Sequence, residues 1–168
     1  MSQQTVTDAR FGEIFLTADR EQGRFGVSGA EIPETFIRRD LDLLAAKAAA
    51  PIGTRTPEVL SVTVDGLPAV LELGPGGLTR RSYRVRVTAG ETGYELTPNT
   101  PETSLLVRHP DRTPMGEITV LEEGPRAEWT EEADATGAAI GYTLALAFGV
   151  GANHPLHVII DSAILGGY

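Results

Sequence analysis

The sequence predicts an α+β fold: a mainly antiparallel sheet or partly closed barrel, with one amphipathic helix at about residues 33–50 and one buried helix at about residues 136–150. Short apolar segments separated by turn residues follow one another, which is typical of an antiparallel meander. No charged residue occurs between Asp134 and Asp161, so that stretch is predicted to be buried. A chain of 168 residues suits one globular domain, residues 1–168, with its own core.

The chain is predicted to begin with strands. Residues 11–17 and 24–28 are apolar segments, and the polar connection between them ends at Gly23. A polar connection with a terminal glycine between two such segments is typical of a hairpin.

The next element is predicted to be the amphipathic helix. Apolar residues recur at Ile37, Leu41 and Leu44, which places them on one face of a helix, and Pro33 suits an early helical position. Pro51 ends the helix, because proline clashes with a continuing helical turn.

The middle of the chain is predicted to be a run of sequential strands. The dipeptide Asp65-Gly66 is a two-residue hairpin signal. Around it and after it, period-two alternation continues to about residue 130. The predicted strands cover residues 59–64, 67–73, 82–88, 93–97, 104–109, 115–122 and 126–130.

The second helix is predicted to start near Thr136, as its N-cap, and to end by Gly149 to Gly151. Apolar residues occupy nearly its whole circumference, so we expect it to be enclosed rather than half exposed. Its length of roughly 22 Å is too short for a hydrocarbon core of about 30 Å, which excludes a transmembrane segment. Residues 156–161 are predicted to form a closing strand.

The amino-acid composition indicates in which compartment the protein works and which classes of partner it can bind. The chain has no cysteine and no signal-peptide pattern at residues 1–8, so we expect a cytoplasmic protein. Residues 91–168 hold three basic residues against twelve acidic ones, and such a surface repels phosphate backbones, which excludes nucleic acid as a partner. Thirteen of the fourteen basic residues are arginine, which indicates the codon bias of a GC-rich bacterial genome.

A run of acidic residues precedes the second helix. Such runs are most often a solvated face that aids solubility. The alternative interpretation is a docking surface for a basic partner. The run comprises Glu122, Glu123, Glu128, Glu131, Glu132 and Asp134.

The best candidate for a ligand site is a pair of arginines. Strand alternation places Arg84 and Arg86 side by side on an exposed face. Guanidinium groups suit carboxylate and phosphate, which predicts an anion site. The alternative interpretation is that they pair across strands with Glu72 or Glu95.

The best candidate for a metal site is the set His154, His157 and Asp161, because imidazole and carboxylate are ordinary ligands of zinc or iron. In a strand, His157 and Asp161 lie about 13 Å apart, too far to share one ion. In a helix they are neighbours. We expect a strand here and no cofactor.

No catalytic residues are predicted. The segment from Gly26 to Ala30 contains Ser28 in a fragment of a serine nucleophile elbow. That motif requires a final glycine leading directly into a helix, and here Ala30 stands in its place. A serine hydrolase is therefore not predicted.

The order of many short strands followed by a hydrophobic helix, together with the hairpin at residues 105–118, resembles the tubby-like and scramblase-like domains. In these domains a barrel surrounds a central helix. The resemblance covers about the last seventy residues. It implies a lipid-binding or membrane-surface role and carries over no functional residue.

From the residues themselves we expect a non-catalytic domain that acts through protein–protein binding or self-assembly, because residues suited to catalysis are few: three histidines, one lysine and no cysteine. The alternative is a small-ligand or lipid-binding domain, or an enzyme, with a site between the sheet and a helix.

Overall fold

The computed structural model describes residues 2–19, 21–39, 60–75 and 79–151. These residues form eleven strands and one α-helix, with a short 3-10 turn at Arg80–Tyr83. The strands are Ser2–Asp8 (β1), Gly12–Asp19 (β2), Arg24–Gly29 (β3), Thr35–Arg39 (β4), Leu60–Val64 (β5), Leu67–Leu73 (β6), Val85–Ala89 (β7), Thr92–Pro98 (β8), Thr103–His109 (β9), Thr113–Leu121 (β10) and Gly124–Trp129 (β11), and the helix is Ala135–Phe148 (α1).

The strands form a single antiparallel meander that curls into a nearly closed barrel. Each strand pairs with the next along the chain, so the order in the sheet is β1 to β11 without a crossover. The helix lies inside this wall and contacts β3, β4 and β7 to β11. Every residue from Gly137 to Phe148 is buried, so the predicted enclosure of the second helix is confirmed.

The ends of α1 differ from the predicted ends by one or two residues. Asp134, rather than Thr136, is the N-cap, and its carboxylate accepts a hydrogen bond from the Gly137 N–H at 2.6 Å. The helix ends at Phe148, and its C-cap is Gly149, whose φ of 92° suits glycine and whose N–H donates to the Ala145 carbonyl. Gly141 allows close packing, since a Cβ there would lie 2.9 Å from the methyl groups of the wall.

The core alternates along the strands as the sequence predicts. Inward side chains of the wall meet α1 and are almost inaccessible to solvent. The hairpin at Asp65-Gly66 is confirmed, and the positive φ angles of both residues, 54° and 78°, are those of a type I′ turn. The most deeply buried wall residues include Ile14, Phe25, Val27, Ile37, Val87, Leu106, Met115 and Ile118.

The prediction of an amphipathic helix from about residue 33 is wrong at its start. Thr35–Arg39 forms strand β4, in which Ile37 pairs with Phe25 on one side and with Val62 on the other. Thr35 and Ile37 are buried whereas Arg38 is exposed, which is the period of a strand. Ile37 fits the period of a helix as well as that of a strand, so the helical pattern depended on residues 41–48, which lie outside the described residues.

Strand β1 is absent from the predicted elements. Its sequence is polar, and Val6 is its only aliphatic residue. A strand at the end of a sheet needs few apolar side chains, because only one of its edges is paired and one face is exposed. The closing strand predicted at residues 156–161 lies outside the described residues.

Candidate functional site

The barrel wall has a seam between β1 and β11, the first and last strands of the sheet. In the described part of the chain, β1 is hydrogen-bonded to β2 and β11 to β10, and no backbone ladder joins β1 to β11. Each of these two strands therefore turns one edge of backbone N–H and C=O groups toward the other. Side chains hold the seam together.

The seam is bridged at each of its two ends. At each end, a different side chain from the β1 region donates hydrogen bonds to backbone carbonyls of the β11 region. At one end, Gln4 Nε2 donates to the carbonyl oxygen of Glu123 at 3.0 Å. At the other end, the Arg10 guanidinium donates to the carbonyl oxygens of Thr130 and Glu131, at 2.5 and 3.2 Å. These contacts cross the seam without using the edge groups of β1.

A buried carboxylate lies between these two bridges. Asp8 is 5% exposed, and its Oδ1 accepts hydrogen bonds from the backbone N–H groups of Arg10 and Phe11, both at 2.8 Å. Its Oδ2 accepts from Trp129 Nε1 at 2.8 Å and from the hydroxyl of Tyr142. We call Asp8, Trp129 and Tyr142 the Asp8 cluster. It joins β1, β11 and α1 at one point.

The local sequence explains why the Asp8 cluster forms. Asp8 ends β1 and binds the N–H groups of the turn that follows, which is a common role of aspartate in turns. The ring of Trp129 packs edge-on against Phe11 and Tyr142, with centroids 5.8 and 5.6 Å apart. Buried indole and phenol groups need hydrogen-bond acceptors, and Asp8 supplies both.

The electrostatics of the Asp8 cluster suit a structural role. Burial, reinforced by the hydrogen bond to Asp8, raises the pKa of Tyr142 well above its ordinary value, so the phenol remains a neutral donor. Asp8 already accepts four hydrogen bonds, which occupies about all the acceptor positions of a carboxylate. A carboxylate saturated in this way is poorly placed to take a proton from a substrate.

A cleft of about 960 Å³ follows the seam. Residues 5–10 line one side, Leu121 and residues 123–129 line the other, and Tyr142 of the helix contributes to the lining. Along β1, Thr5 and Thr7 are exposed, and Leu121 at the opposite side is 39% exposed. The cleft thus combines backbone edges, hydroxyl groups and some apolar surface.

A second carboxylate, that of Asp134, joins strands β8 and β9 of the wall to the start of α1. The Asp134 side chain accepts from the Tyr94 hydroxyl at 3.0 Å and from Arg108 Nη1 at 3.0 Å, besides capping Gly137. The hydrogen bond with Asp134 raises the pKa of Arg108, and burial raises that of Tyr94. We call Asp134, Tyr94 and Arg108 the Asp134 cluster.

The two arginines of the predicted anion site lie in different surroundings. Arg84 donates to the carbonyl oxygen of Arg81 at 3.0 Å. Arg86 lies in register with Glu72 on one neighbouring strand and with Glu95 on the other. This register is the one that cross-strand pairing requires. The Nε of Arg86 is buried and has no hydrogen-bond partner. An anion site at Arg84 and Arg86 stays a prediction.

The predicted metal ligands His154, His157 and Asp161 lie outside the described residues. Within residues 2–19, 21–39, 60–75 and 79–151, no three His, Asp or Glu side chains are grouped closely enough to hold a metal ion. The Asp8 cluster was missed from the sequence. Two residues in the sequence could have indicated it: Trp129, the only tryptophan, and Tyr142, which lies in the uncharged helix. Each carries a polar group that needs a hydrogen-bond partner when it is buried.

No known protein family, curated protein or solved structure matches this chain. None of these comparisons confirms the resemblance to tubby-like and scramblase-like domains, which stays a prediction. Among the described residues, no helix has both the length and the apolar character that a membrane span requires.

Proposed function

We propose that this protein is a non-catalytic binding module and that its seam accepts an extended segment of a protein partner. The observation that carries the proposal is that, among the described residues, no backbone ladder joins the facing edges of β1 and β11, which lie on either side of a cleft. Exposed strand edges are templates for pairing with another chain. Binding by strand addition takes its affinity from main-chain hydrogen bonds and its specificity from side-chain contacts.

The way the seam is held supports this role. Its contacts are made by Gln4, Arg10 and the Asp8 cluster, which cross between the strands as side chains. The exposed bridges of Gln4 and Arg10 can be exchanged for contacts with a bound segment without disrupting the ladders of β1 with β2 and of β10 with β11, while the buried Asp8 cluster keeps the two strands anchored to α1. Among the strands that the structure describes, β2 to β10 are each paired on both edges and offer no comparable place.

The chemistry of the cleft supports binding over catalysis. Asp8 has four hydrogen-bond donors, and the pKa of Tyr142 is raised, so neither group is prepared as a base or nucleophile at neutral pH. The hydroxyls of Thr5 and Thr7 and the apolar Leu121 are suited to contacts with a peptide.

Selection from a random peptide library, followed by hydrogen–deuterium exchange, tests the proposal. Enriched peptides are expected to slow amide exchange in β1 and β11, because those edges gain hydrogen bonds. The exposed outer residues Leu67 and Val70 provide the internal control, since they form another apolar surface. Protection confined to β6, or no enrichment at all, would contradict a binding site at the seam.

Self-assembly is the second form of the same proposal, with the edge of another copy as the partner. Sedimentation velocity over a range of protein concentrations separates the two forms. A dimer whose amide exchange is slowed in β1 and β11 would identify a second copy as the occupant. A monomer at all concentrations would leave a different protein as the partner.

A small-ligand carrier is the alternative function that one observation favours. The cleft reaches Tyr142, so it lies between the sheet and the helix, and its volume is in the range of small-molecule sites. Native mass spectrometry of the purified protein tests this alternative. A retained compound that is lost when Tyr142 or Trp129 is changed would favour a carrier over a peptide-binding module.

A further inference from the structure

The two strands that flank the seam run in the same direction. In an antiparallel meander every strand reverses the direction of the one before it, so the first and the eleventh strands are parallel. Gln4, near the start of β1, binds the carbonyl oxygen of Glu123, just before β11. Asp8 and Trp129, which bind each other, are the last residues of their strands. A direct ladder between β1 and β11 would therefore be the only parallel pairing in the described sheet.

This shared direction explains why the described strands meet at a seam and not through a ladder. Antiparallel pairs are somewhat more stable per residue than parallel ones, and sheets of one kind are favoured over mixed sheets. A Cβ on Gly124 would lie 2.7 Å from Val6 Cγ1, so the strands touch there through a side chain. An up-and-down barrel closes with antiparallel pairs alone only when its number of strands is even. One added strand, antiparallel to both β1 and β11, gives the described sheet such a number.

The edge of β11 that faces the seam offers fewer donors than a full strand. The N–H of Thr130 donates to the Met115 carbonyl on β10, and successive N–H groups of a strand point to opposite edges. The N–H groups of Ala127 and Trp129 therefore point toward the seam, as does the nitrogen of Pro125, which carries no hydrogen. Strand β1 contains no proline, so its edge is the more complete template for pairing.

The side chains beside the seam alternate between the interior and the outer face. On β1, Val6 packs against the core, whereas Thr5 and Thr7 are exposed. On β11, Pro125 is buried and Ala127 packs against the core. An added strand continues this alternation. Its inward positions meet small apolar side chains and its outward positions next to β1 meet hydroxyl groups, so alternating apolar and uncharged polar residues suit it.

We infer that the seam accepts a partner segment of alternating apolar and uncharged polar residues, which runs antiparallel to both β1 and β11 and hydrogen-bonds chiefly to β1. This inference rests on the proposed function and adds the direction and the residue pattern of the segment. The amino end of the segment lies at the Arg10 end of the seam, and its carboxyl end lies at the Gln4 end. Strand addition fixes a direction because the pattern of main-chain hydrogen bonds depends on it.

Single-cysteine variants measure the direction, because the chain has no cysteine of its own. Gln3→Cys and Thr7→Cys place a thiol at exposed positions near the two ends of β1, about 13 Å apart in an extended strand. Two short peptides alternate threonine and valine and carry one cysteine, at the amino end in the first and at the carboxyl end in the second. The rate of disulfide formation is measured for each combination. Val70→Cys, at an exposed position of a strand that is paired on both edges, is the matched control.

The two peptides are expected to prefer opposite ends of β1. The peptide with an amino-terminal cysteine should react at least about fivefold faster with Thr7→Cys than with Gln3→Cys, because binding holds those two thiols near each other. The peptide with a carboxyl-terminal cysteine should show the reverse preference. With Val70→Cys, both peptides should react slowly and at equal rates. Hydrogen–deuterium exchange of the free protein adds a second measurement: the β1 amides that do not bond to β2 should exchange rapidly, and the peptides should slow them.

The outcomes separate the inference from the proposed function. Exchanged preferences, or equal rates with Gln3→Cys and Thr7→Cys that exceed the control, would leave the strand-accepting role and overturn the direction. If the peptides react no faster than with Val70→Cys while library selection yields another peptide that binds the seam, the inferred residue pattern is overturned. Amides of β1 that are already protected in the free protein would mean that this chain or a second copy occupies the edge, which overturns the inference. If neither these peptides nor the library gives binding at the seam, both are wrong.

Discussion

The Asp8 cluster and the Asp134 cluster use the same chemistry in two different places. In each, an aspartate accepts a hydrogen bond from a buried tyrosine and joins the wall to α1. Asp134 lies beside β8 and β9, which a backbone ladder already holds together, and its side chain is 37% exposed and has Arg108 as a cationic partner. Asp8 lies at the seam, has only neutral donors among its hydrogen bonds, and is buried.

The comparison indicates that a buried carboxylate can connect two strands that no backbone ladder joins. At the seam, the hydrogen bonds of Asp8 take the place of a ladder between β1 and β11. At the closed side, Asp134 supplements interactions that exist without it. The two aspartates should therefore differ in their contribution to stability and in their effect on the seam.

The largest expected effect is that of Asp8→Ala, which tests this difference directly. The substitution leaves Trp129 Nε1 and the Tyr142 hydroxyl without their acceptor inside the wall, so we expect the free energy of unfolding to fall by about 3–4 kcal/mol. Urea unfolding followed by Trp129 fluorescence and circular dichroism measures it. Glu91→Gln, at an exposed position, should change stability by less than about 0.5 kcal/mol. A loss as small as that of the control would remove the special role of Asp8.

Added volume on the closed side of the wall should cost somewhat less. A Cβ at Gly141 would approach Leu106 and Ile118 to 2.9 Å, so Gly141→Val should overpack the core and destabilise the protein by about 2–3 kcal/mol. Gly141→Ala is the matched control, in which higher helix propensity offsets part of the clash. Thermal unfolding compares the two. Equal unfolding temperatures for both variants and the wild type would contradict this prediction, because they would mean that the wall adjusts to the added side chain at no cost in stability.

Asp134→Ala should have a smaller effect than Asp8→Ala. It removes the N-cap of α1 and the acceptor of Tyr94, and we expect a loss of about 1–2 kcal/mol because the site is partly open to water. Asp134→Asn keeps the capping geometry and should restore part of the loss. Should Asp134→Ala destabilise as much as Asp8→Ala, the contrast between the closed wall and the seam would be wrong.

The smallest effect concerns alkaline pH. The folded protein raises the pKa of Tyr142 and of Tyr94, so both phenols keep their protons where the unfolded chain begins to lose them. Their contribution to stability is complete below pH of about 10 and decreases above it, by less than about 1 kcal/mol per tyrosine at pH 10.5. Urea unfolding at pH 8, 9.5 and 10.5 measures this decrease. The slope should be shallower in Tyr142→Phe; an unchanged slope would assign the effect to other groups.

Much of the fold was predictable because its signals are local. The turn at Asp65-Gly66 and the alternation of the neighbouring strands specify a hairpin within a few residues. The absence of charge after Asp134 indicates burial of α1 in the same direct way. The error at Thr35–Arg39 arose because Ile37 fits the period of a helix as well as that of a strand, and tertiary pairing with β3 and β5 decides between them.

The candidate site was not predictable for a different reason. Asp8 and Trp129 lie far apart in the sequence and meet only because the meander curls until its first and last strands face each other. No local pattern encodes that curvature. The exposure of Glu122, Glu123, Glu128, Glu131 and Glu132 agrees with the prediction of an acidic surface, whereas Asp134 departs from it because it caps the helix.

The position of α1 after all eleven strands has a consequence for biosynthesis. A ribosome releases the wall before the helix that fills it, so the inward faces of β1 to β11 must wait in contact with water or a chaperone. Sequential pairing allows each hairpin to form as it emerges, but the inward side chains gain their packing partner only when Ala135–Phe148 follows. Because no backbone ladder joins β1 to β11 in the described structure, the seam is the place where an incomplete barrel can open to receive α1.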